Sequence, residues 1–147
     1  MRSRLREGKY KELRVISELI ALGFDVYPAA VDDQGIDCVL RVKRGPCPEY
    51  YDVQIKGYKG YNRVVGVTRD DVQKQQDKYL LILAFFHRDG KDEIFFLTRE
   101  QVLQMKDHAL STGADKGKGW GDLPFNKEER SRFANQKIQH LRRFLGC

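Results

Sequence analysis

Cysteine is scarce in this chain, and no pair of cysteines has a spacing that binds zinc. Cys38, Cys47 and Cys147 are an odd number, and no Cys-x-x-Cys pair occurs. This pattern argues against a disulfide framework and against a zinc knuckle, and it fits a reducing cytosol. The three histidines are widely separated and show no ligand spacing, so a histidine-based metal site is not expected.

Long apolar runs are missing as well. No stretch approaches the roughly 20 residues of a membrane span, and no apolar signal-peptide core follows the basic segment Met1 to Arg6. We therefore expect a cytoplasmic protein without a membrane partner. Residues 111–124 are rich in glycine and lysine, but they lack the GxxxxGK[ST] spacing and a preceding strand. This predicts a flexible loop, not a phosphate-binding loop.

Positive charge, by contrast, is in excess. The chain has 27 Lys and Arg residues against 21 Asp and Glu, a formal net charge of +6. Such a balance favours a polyanionic partner such as nucleic acid, although many basic proteins bind none. The 147 residues, 41% of them apolar and 33% charged, predict one globular domain over residues 1–147.

Hydrophobic periodicity predicts an α/β chain in the order helix, three strands, helix, two strands, helix. In that order, the predicted helices cover residues 8–22, 68–78 and 98–110, and the predicted strands cover 24–27, 36–43, 50–58, 79–86 and 93–97. A short strand at 64–67 and a last helix at 127–145, after the predicted loop, complete the prediction. Gly23 is expected to end the first helix in the left-handed conformation. Thr68 is expected to cap the second helix at its N-terminus.

The first predicted helix has an acid among its apolar residues. The residues that gather on one side of it are Leu13, Val15, Ile16, Leu19, Ile20 and Leu22. Glu12 falls at the centre of that stripe, and a carboxylate directed into a core is costly unless it is paired. We expect packing of this helix to bring Glu12 over the same face of the sheet as the polar strand residues.

Those strand residues follow a chemical pattern. Asp37 comes directly after Gly35 and Ile36 at the start of the second strand, and Gln54 and Lys56 lie two residues apart on the third. Alternation along a strand puts Gln54 and Lys56 on one side, roughly 7 Å apart. Hard oxygen ligands hold Mg²⁺, and a nearby lysine can orient the attacking water or stabilise phosphate charge. The pattern indicates phosphodiester cleavage.

Taken together, Gly8-x-x-x-Glu12, Gly23, Gly35-Ile36-Asp37 and Gln54-x-Lys56 resemble the PD-(D/E)XK nuclease superfamily. The similarity is closest to its Gln-x-Lys variants, such as restriction enzymes of the Mrr type, and it covers about the first 60 residues. The resemblance implies a restriction-endonuclease-like core, a central mixed β-sheet flanked by helices. It also implies a DNA endonuclease with Glu12, Asp37, Gln54 and Lys56 as catalytic residues.

The same resemblance implies the metal. Asp37, Gln54 and Glu12 would hold Mg²⁺, with Mn²⁺ as a substitute. The chain departs from the family pattern in having Gln54 where Asp or Glu is usual, and Ile36 where a proline often precedes the aspartate. An amide oxygen can ligate Mg²⁺ but brings no charge, so weaker metal binding is expected. Glu12 or Asp52 can make up the deficit.

Partners follow from the same site. Lys59 and Arg63, just past the third strand, are candidate DNA-binding residues that hold phosphates, and Tyr58 is a candidate for stacking. A small domain that cuts both strands usually acts as a symmetric dimer, so a homo-oligomer is also considered.

Other interpretations stay open at this point. Asp37 can simply cap a turn after Gly35, Gln54 and Lys56 can lie on a solvated strand face, and Glu12 can pair with Lys9. At the level of function, a non-catalytic DNA-binding module on a nuclease-like scaffold is the main alternative. A structural or protein-binding domain without a nucleic-acid role is a further one.

Overall fold

A five-stranded mixed sheet forms the centre of this computed structural model, which describes residues 2–31, 34–61, 64–111 and 123–147. The strand order is β1-β2-β3-β5-β6, and neighbours are antiparallel except β3 and β5, which are parallel. The elements are α1 (Arg2–Ala21), β1 (Asp25–Pro28), β2 (Cys38–Arg44), β3 (Cys47–Lys59), β4 (Val64–Val65), α2 (Arg69–Gln73), β5 (Tyr79–Phe86), β6 (Glu93–Thr98), α3 (Arg99–Ser111), β7 (Leu123–Pro124), α4 (Lys127–Arg132) and α5 (Leu141–Leu145). The predicted α/β architecture, with a central mixed sheet flanked by helices, is confirmed.

Helix α1 contributes a narrow buried stripe and ends at a glycine. Val15, Ile16 and Leu19 are buried against the sheet. Gly23, at φ +88°, follows the helix, and the Phe24 N–H donates to the Leu19 carbonyl at 3.1 Å. This left-handed cap satisfies helix carbonyls that have no partner within the helix, as predicted.

The breadth of the predicted apolar stripe was wrong. Leu13 is 48% exposed and Ile20 is 56% exposed. A helix that lies on a sheet buries only the residues nearest the contact line, and these two lie at the edge of the stripe.

Each face of the sheet has its own hydrophobic layer. On the face covered by α1 and α5, here called the α1 face, the buried strand residues include Cys38, Leu40, Val42, Val53, Ile55, Leu80 and Ile82. On the opposite face, covered by α2 and α3 and here called the α3 face, they include Tyr79, Leu81, Leu83, Phe85, Phe95 and Leu97. Residues on β5 alternate between the two layers, as side chains on any strand do. Tyr79 to Phe85 are all buried, because this strand is covered on both sides. The alternation predicted for β3 is also confirmed, with Gln54 and Lys56 on the α3 face.

Helix α1 approaches β3 closely because Gly57 has no side chain. A Cβ built on Gly57 would lie 2.7 Å from the Cβ of Lys11. No real Cβ tolerates that distance, and the clashing atom is at the root of the Lys11 side chain, where it cannot swing aside. Gly57 therefore sets the distance between α1 and the sheet.

The C-terminal segment is not the single helix predicted for residues 127–145. It forms α4, then two 3₁₀ turns at Ala134–Gln136 and Ile138–His140, then α5. Phe133 packs on the α3 face, whereas Leu141 packs on the α1 face. The chain must cross the edge of the sheet between them, and Lys137 forms a β-bridge with Phe95 of the edge strand on the way. A straight helix could not reach both faces.

Two other predicted elements differ in length. Helix α2 ends at Gln73 although the prediction extended to residue 78; its predicted cap is confirmed, since the Thr68 hydroxyl accepts the Asp71 N–H at 3.1 Å. The loop predicted for residues 111–124 begins inside α3 and ends inside β7, and residues 112–122 lie outside the described residues. None of the helices in the described ranges combines the length and apolar character needed to cross a membrane.

The contact at Gly57 gives a stability prediction. We expect Gly57→Ala to lower the free energy of unfolding by about 1–3 kcal/mol, because the new methyl group must displace α1. The matched control is Gly8→Ala, since a Cβ at Gly8, within α1, meets nothing within 4 Å. That control should stabilise the protein by about 0.5–1 kcal/mol, as alanine does in a helix interior. Denaturant titration measures both, and equal effects would contradict the role given to Gly57.

Candidate functional site

The candidate site lies where β2 separates from β3. Pairing between these strands ends at Cys38 and Val53, whereas β3 continues to Lys59 beside β5. Beyond Val53, the backbone groups of β3 on this side face a space that β2 no longer fills, here called the strand gap. Asp37 fills its start: its N–H donates to the Val53 carbonyl at 2.8 Å, and its Oδ2 accepts the Ile55 N–H at 2.6 Å.

Gln54 is held beside the strand gap from two directions. Its Oε1 accepts a hydrogen bond from the Tyr79 hydroxyl at 2.6 Å. A Cβ built on Gly35 would lie 3.1 Å from its Nε2, and Gly35 has φ +72°, where other residues are strained. Gly35 therefore lets the turn before Asp37 pass close to the amide.

Tyr79 is a site residue that the sequence analysis missed. It is the first residue of β5, and its side chain is almost fully buried. A buried tyrosine hydroxyl usually has a hydrogen-bond partner. That rule is the signal in the sequence, since Tyr79 opens a strand that is otherwise entirely apolar.

The ionisable groups around the strand gap show where the carboxylates lie. Burial raises the pKa of Cys38 to about 12, and the charges of Asp37 and Glu12 add to this rise. Burial also raises the pKa of Tyr79, and the charges of Asp37 and Asp71 contribute. Cys38 belongs to the α1 face and Tyr79 to the α3 face. The Asp37 carboxylate thus acts on groups of both faces, as a group in the strand gap should.

Glu12 is near the strand gap, but it does not share a face with Gln54 and Lys56. It lies on the side of α1 that meets the sheet, its side chain is 16% exposed, and its Oε1 is 2.5 Å from the Lys9 Nζ. Helix α1 packs on the α1 face, whereas Gln54 and Lys56 project from the α3 face. The expectation that all of them share one face was wrong, and the pairing with Lys9, kept as an alternative, is observed.

Lys56 follows Ile55, the residue whose N–H Asp37 accepts. It is half-buried on the α3 face, two residues beyond Gln54. None of the ion pairs within the described ranges involves Lys56. Its ammonium group is therefore not committed to a carboxylate of the described residues.

The donor atoms at the strand gap suit a hard cation in type. They are a carboxylate of Asp37 and the amide oxygen of Gln54, with the carboxylate of Glu12 on the α1 side, and oxygen is the ligand that Mg²⁺ prefers. The Gln54 oxygen has two lone pairs, of which the Tyr79 hydroxyl uses one. In the part of the chain that the structure describes, no three His, Cys, Asp or Glu side chains gather as a metal cluster.

The residues proposed to bind DNA are only partly visible. Lys59 is 77% exposed, and its Nζ lies 2.8 Å from Glu7. Arg63 lies outside the described residues. The Tyr58 ring stacks on Phe85 with centroids 5.8 Å apart, so it packs within the α3 face.

Comparison with known proteins adds no relative to this geometry. No protein-family model matches the chain, and no curated protein is significantly similar to it in sequence.

The environment of Cys38 gives a chemical prediction. The thiolate is the reactive form of cysteine, and Cys38 is both buried and held protonated by its raised pKa. In the native protein at mildly alkaline pH, iodoacetamide should modify the exposed Cys47 and Cys147 and leave Cys38 unmodified, as read by peptide mass spectrometry. The denatured protein, in which all three should react, is the control. Native-state modification of Cys38 at the rate of the other two would contradict this placement of the thiol.

Proposed function

We propose that the protein is a Mg²⁺-dependent endonuclease that hydrolyses DNA phosphodiester bonds, with a restriction-endonuclease-like core of the PD-(D/E)XK type. The observation that supports it best is that the Asp37 carboxylate accepts the N–H of Ile55, which lies between Gln54 and Lys56 on β3. An acid and an amide oxygen from two strands, beside an ammonium group, match the requirements of phosphodiester cleavage. The net charge of +6 fits a nucleic-acid partner.

Each residue then has a role. Asp37 and Gln54 would hold the metal from the strand gap, and Glu12 would support them from the α1 side. Bound there, Mg²⁺ would supply Lewis-acid stabilisation of the phosphate charge. Lys56 orients the attacking water and neutralises charge on the phosphate. Tyr79 fixes the orientation of the Gln54 amide.

The wider assignments belong to the same proposal. Lys59 and Arg63 would bind phosphates of DNA that enters the site, and Mn²⁺ would substitute for Mg²⁺. A small domain that cuts both strands usually acts as a symmetric dimer, so a homodimer is part of the proposal. The cytosol, with its reduced thiols, is the proposed location.

A second candidate function is supported by the hydrogen bonds of the site itself. Asp37 completes the pairing of β3 through Ile55, and Gln54 satisfies the buried hydroxyl of Tyr79. Both interactions stabilise the fold without a metal. A non-catalytic DNA-binding module on a nuclease-like scaffold would keep them for that reason, having lost charge at position 54.

Substitution of Lys56 distinguishes an effect on DNA cleavage from an effect on DNA binding. We expect Lys56→Ala to reduce Mg²⁺-dependent cleavage of supercoiled plasmid by about 10²-fold or more, the usual contribution of a group that assists proton transfer. DNA affinity should change little, because one charge among many adds only a small part of phosphate binding. The matched control is Lys74→Ala, an exposed lysine at the end of α2. Cleavage that persists in Lys56→Ala at the rate of Lys74→Ala would remove the mechanism.

Position 54 tests the metal. Gln54→Glu should tighten Mg²⁺ or Mn²⁺ binding, because it adds a charge beside Asp37 and still accepts the Tyr79 hydroxyl. Calorimetric titration of the wild type, Gln54→Glu and Asp37→Ala measures this, with the affinity order Gln54→Glu above wild type above Asp37→Ala. Metal binding by Gln54→Glu alone would instead favour the non-catalytic module, provided that the wild type still binds DNA. No binding by any of the three would refute a metal site at the strand gap.

A further inference from the structure

A cationic cavity lies past the end of β3, between the residues that follow this strand and helix α4. Its volume is about 470 Å³, and its lining includes Tyr61, Glu93, Lys127, Arg130 and Lys137. It is here called the α4 cavity. Among the described residues, those of the strand-gap site and Lys59 are not part of its lining.

The guanidinium of Arg130 is held in place within the α4 cavity. Its centre lies 3.8 Å from the centroid of the Tyr61 ring, and its Nη1 donates to the Phe125 carbonyl at 3.4 Å. The Tyr61 ring is itself fixed, because its centroid lies 4.3 Å from the centroid of the His87 ring and its hydroxyl donates to Glu93. A stacked guanidinium keeps its N–H groups at its edge, where they suit the oxygen atoms of a phosphate.

The charge of the lining favours an anion. Among the described residues of the lining, the cations Lys127, Arg130 and Lys137 outnumber the one carboxylate, that of Glu93. Glu93 is already engaged by the Tyr61 hydroxyl and by Lys137, whose Nζ lies 3.6 Å away. Glu129, the residue before Arg130, pairs with Arg132 at 3.7 Å and is not one of the described lining residues.

The position of the α4 cavity relates it to the candidate site. Tyr61 packs against Phe85, which belongs to the α3 face, and Gln54 and Lys56 project from that same face. Tyr61 follows Lys56 by five residues, which at strand rise spans at most about 17 Å. Along the axis of a DNA duplex, each strand carries one phosphate per 3.4 Å or so, and this distance therefore corresponds to roughly five base pairs along the axis.

We propose that the α4 cavity binds a backbone phosphate of the nucleic acid that enters the strand-gap site, within roughly five base pairs, along the duplex axis, of the phosphate at Lys56. Arg130 makes the principal contact, and Lys127 and Lys137 add charge. The proposal rests on the proposed function in one respect, that the partner is DNA. A free phosphate has the same chemistry, and the experiment distinguishes the two sources.

The test compares two arginines on one helix. Affinity for a short DNA duplex is measured without Mg²⁺ over a series of NaCl concentrations. The plot of log affinity against log salt has a negative slope, and each lost phosphate contact should reduce the magnitude of that slope by about 0.9. Arg130→Ala should show this loss, and Arg132→Ala, whose side chain is exposed and paired with Glu129, should keep the wild-type slope. Equal slopes for the two variants, whether reduced or unchanged, would overturn the proposal.

A second variant guards against misfolding. Lys127 is an exposed residue at the first position of α4, so Lys127→Ala should not disturb the packing of Tyr61. This variant should reduce the magnitude of the slope as well. Thermal unfolding, followed by circular dichroism, checks that each variant is folded. If Arg130→Ala is unfolded, Lys127→Ala against Arg132→Ala decides, and a wild-type slope for Lys127→Ala then overturns the proposal.

Two further arms identify the source of the phosphate and separate the two proposals. Inorganic phosphate replaces part of the NaCl at equal ionic strength. If phosphate displaces DNA from the wild type more strongly than from Arg130→Ala, the two ligands compete for the α4 cavity, which supports a DNA phosphate there. If phosphate instead raises the thermal unfolding temperature of the wild type but not of Arg130→Ala, and the DNA slopes of these two proteins are equal, free phosphate is the ligand and the DNA assignment is overturned. Cleavage is measured separately with Mg²⁺, and its absence would remove the nuclease while leaving the slopes to decide the α4 cavity.

Discussion

The hydrogen bond from the Ile55 N–H to the Asp37 carboxylate is the interaction on which the candidate site depends. Strand β2 stops pairing with β3 at Val53, and Ile55 is buried, so its N–H would otherwise lack a partner at a high cost in free energy. Asp37 supplies the acceptor with its side chain instead of its backbone. The same bond holds a carboxylate in the plane of the sheet, where it influences Cys38 on one face and Tyr79 on the other.

The two hydrophobic layers hold this arrangement rigid. Helix α1 is pressed onto β3 at Gly57, which leaves little freedom for the strand that bears Gln54 and Lys56. At the far edge of the sheet, the C-terminal segment crosses from one face to the other, and the side-chain amide of Gln136 donates to the Phe96 carbonyl at 3.0 Å. That crossing protects the edge strand β6 and also brings α4 close to Tyr61, which creates the α4 cavity.

Gln54 shows how a structural and a chemical role can fall on one residue. Its amide oxygen satisfies the buried Tyr79 hydroxyl, and a second lone pair remains for another partner. The neutral amide lowers the charge of the donor set, while Glu12 lies on the opposite face and pairs with Lys9. The proposed metal site therefore combines donors that approach the strand gap from both faces, which differs from the one-sided cluster expected from the packing of the first helix.

Local patterns in the sequence determined much of this protein. Apolar alternation placed Gln54 and Lys56 on one side of β3, the continuous apolar run identified β5, and Gly23 marked the end of α1, because each depends on neighbouring residues only. Tertiary structure alone decided which face α1 covers, that Tyr79 meets Gln54, that the C-terminal helix breaks to pass the sheet edge, and that Arg130 stacks on Tyr61. These outcomes join residues far apart in the chain, and periodicity within a single element contains no information about which distant surface that element will contact.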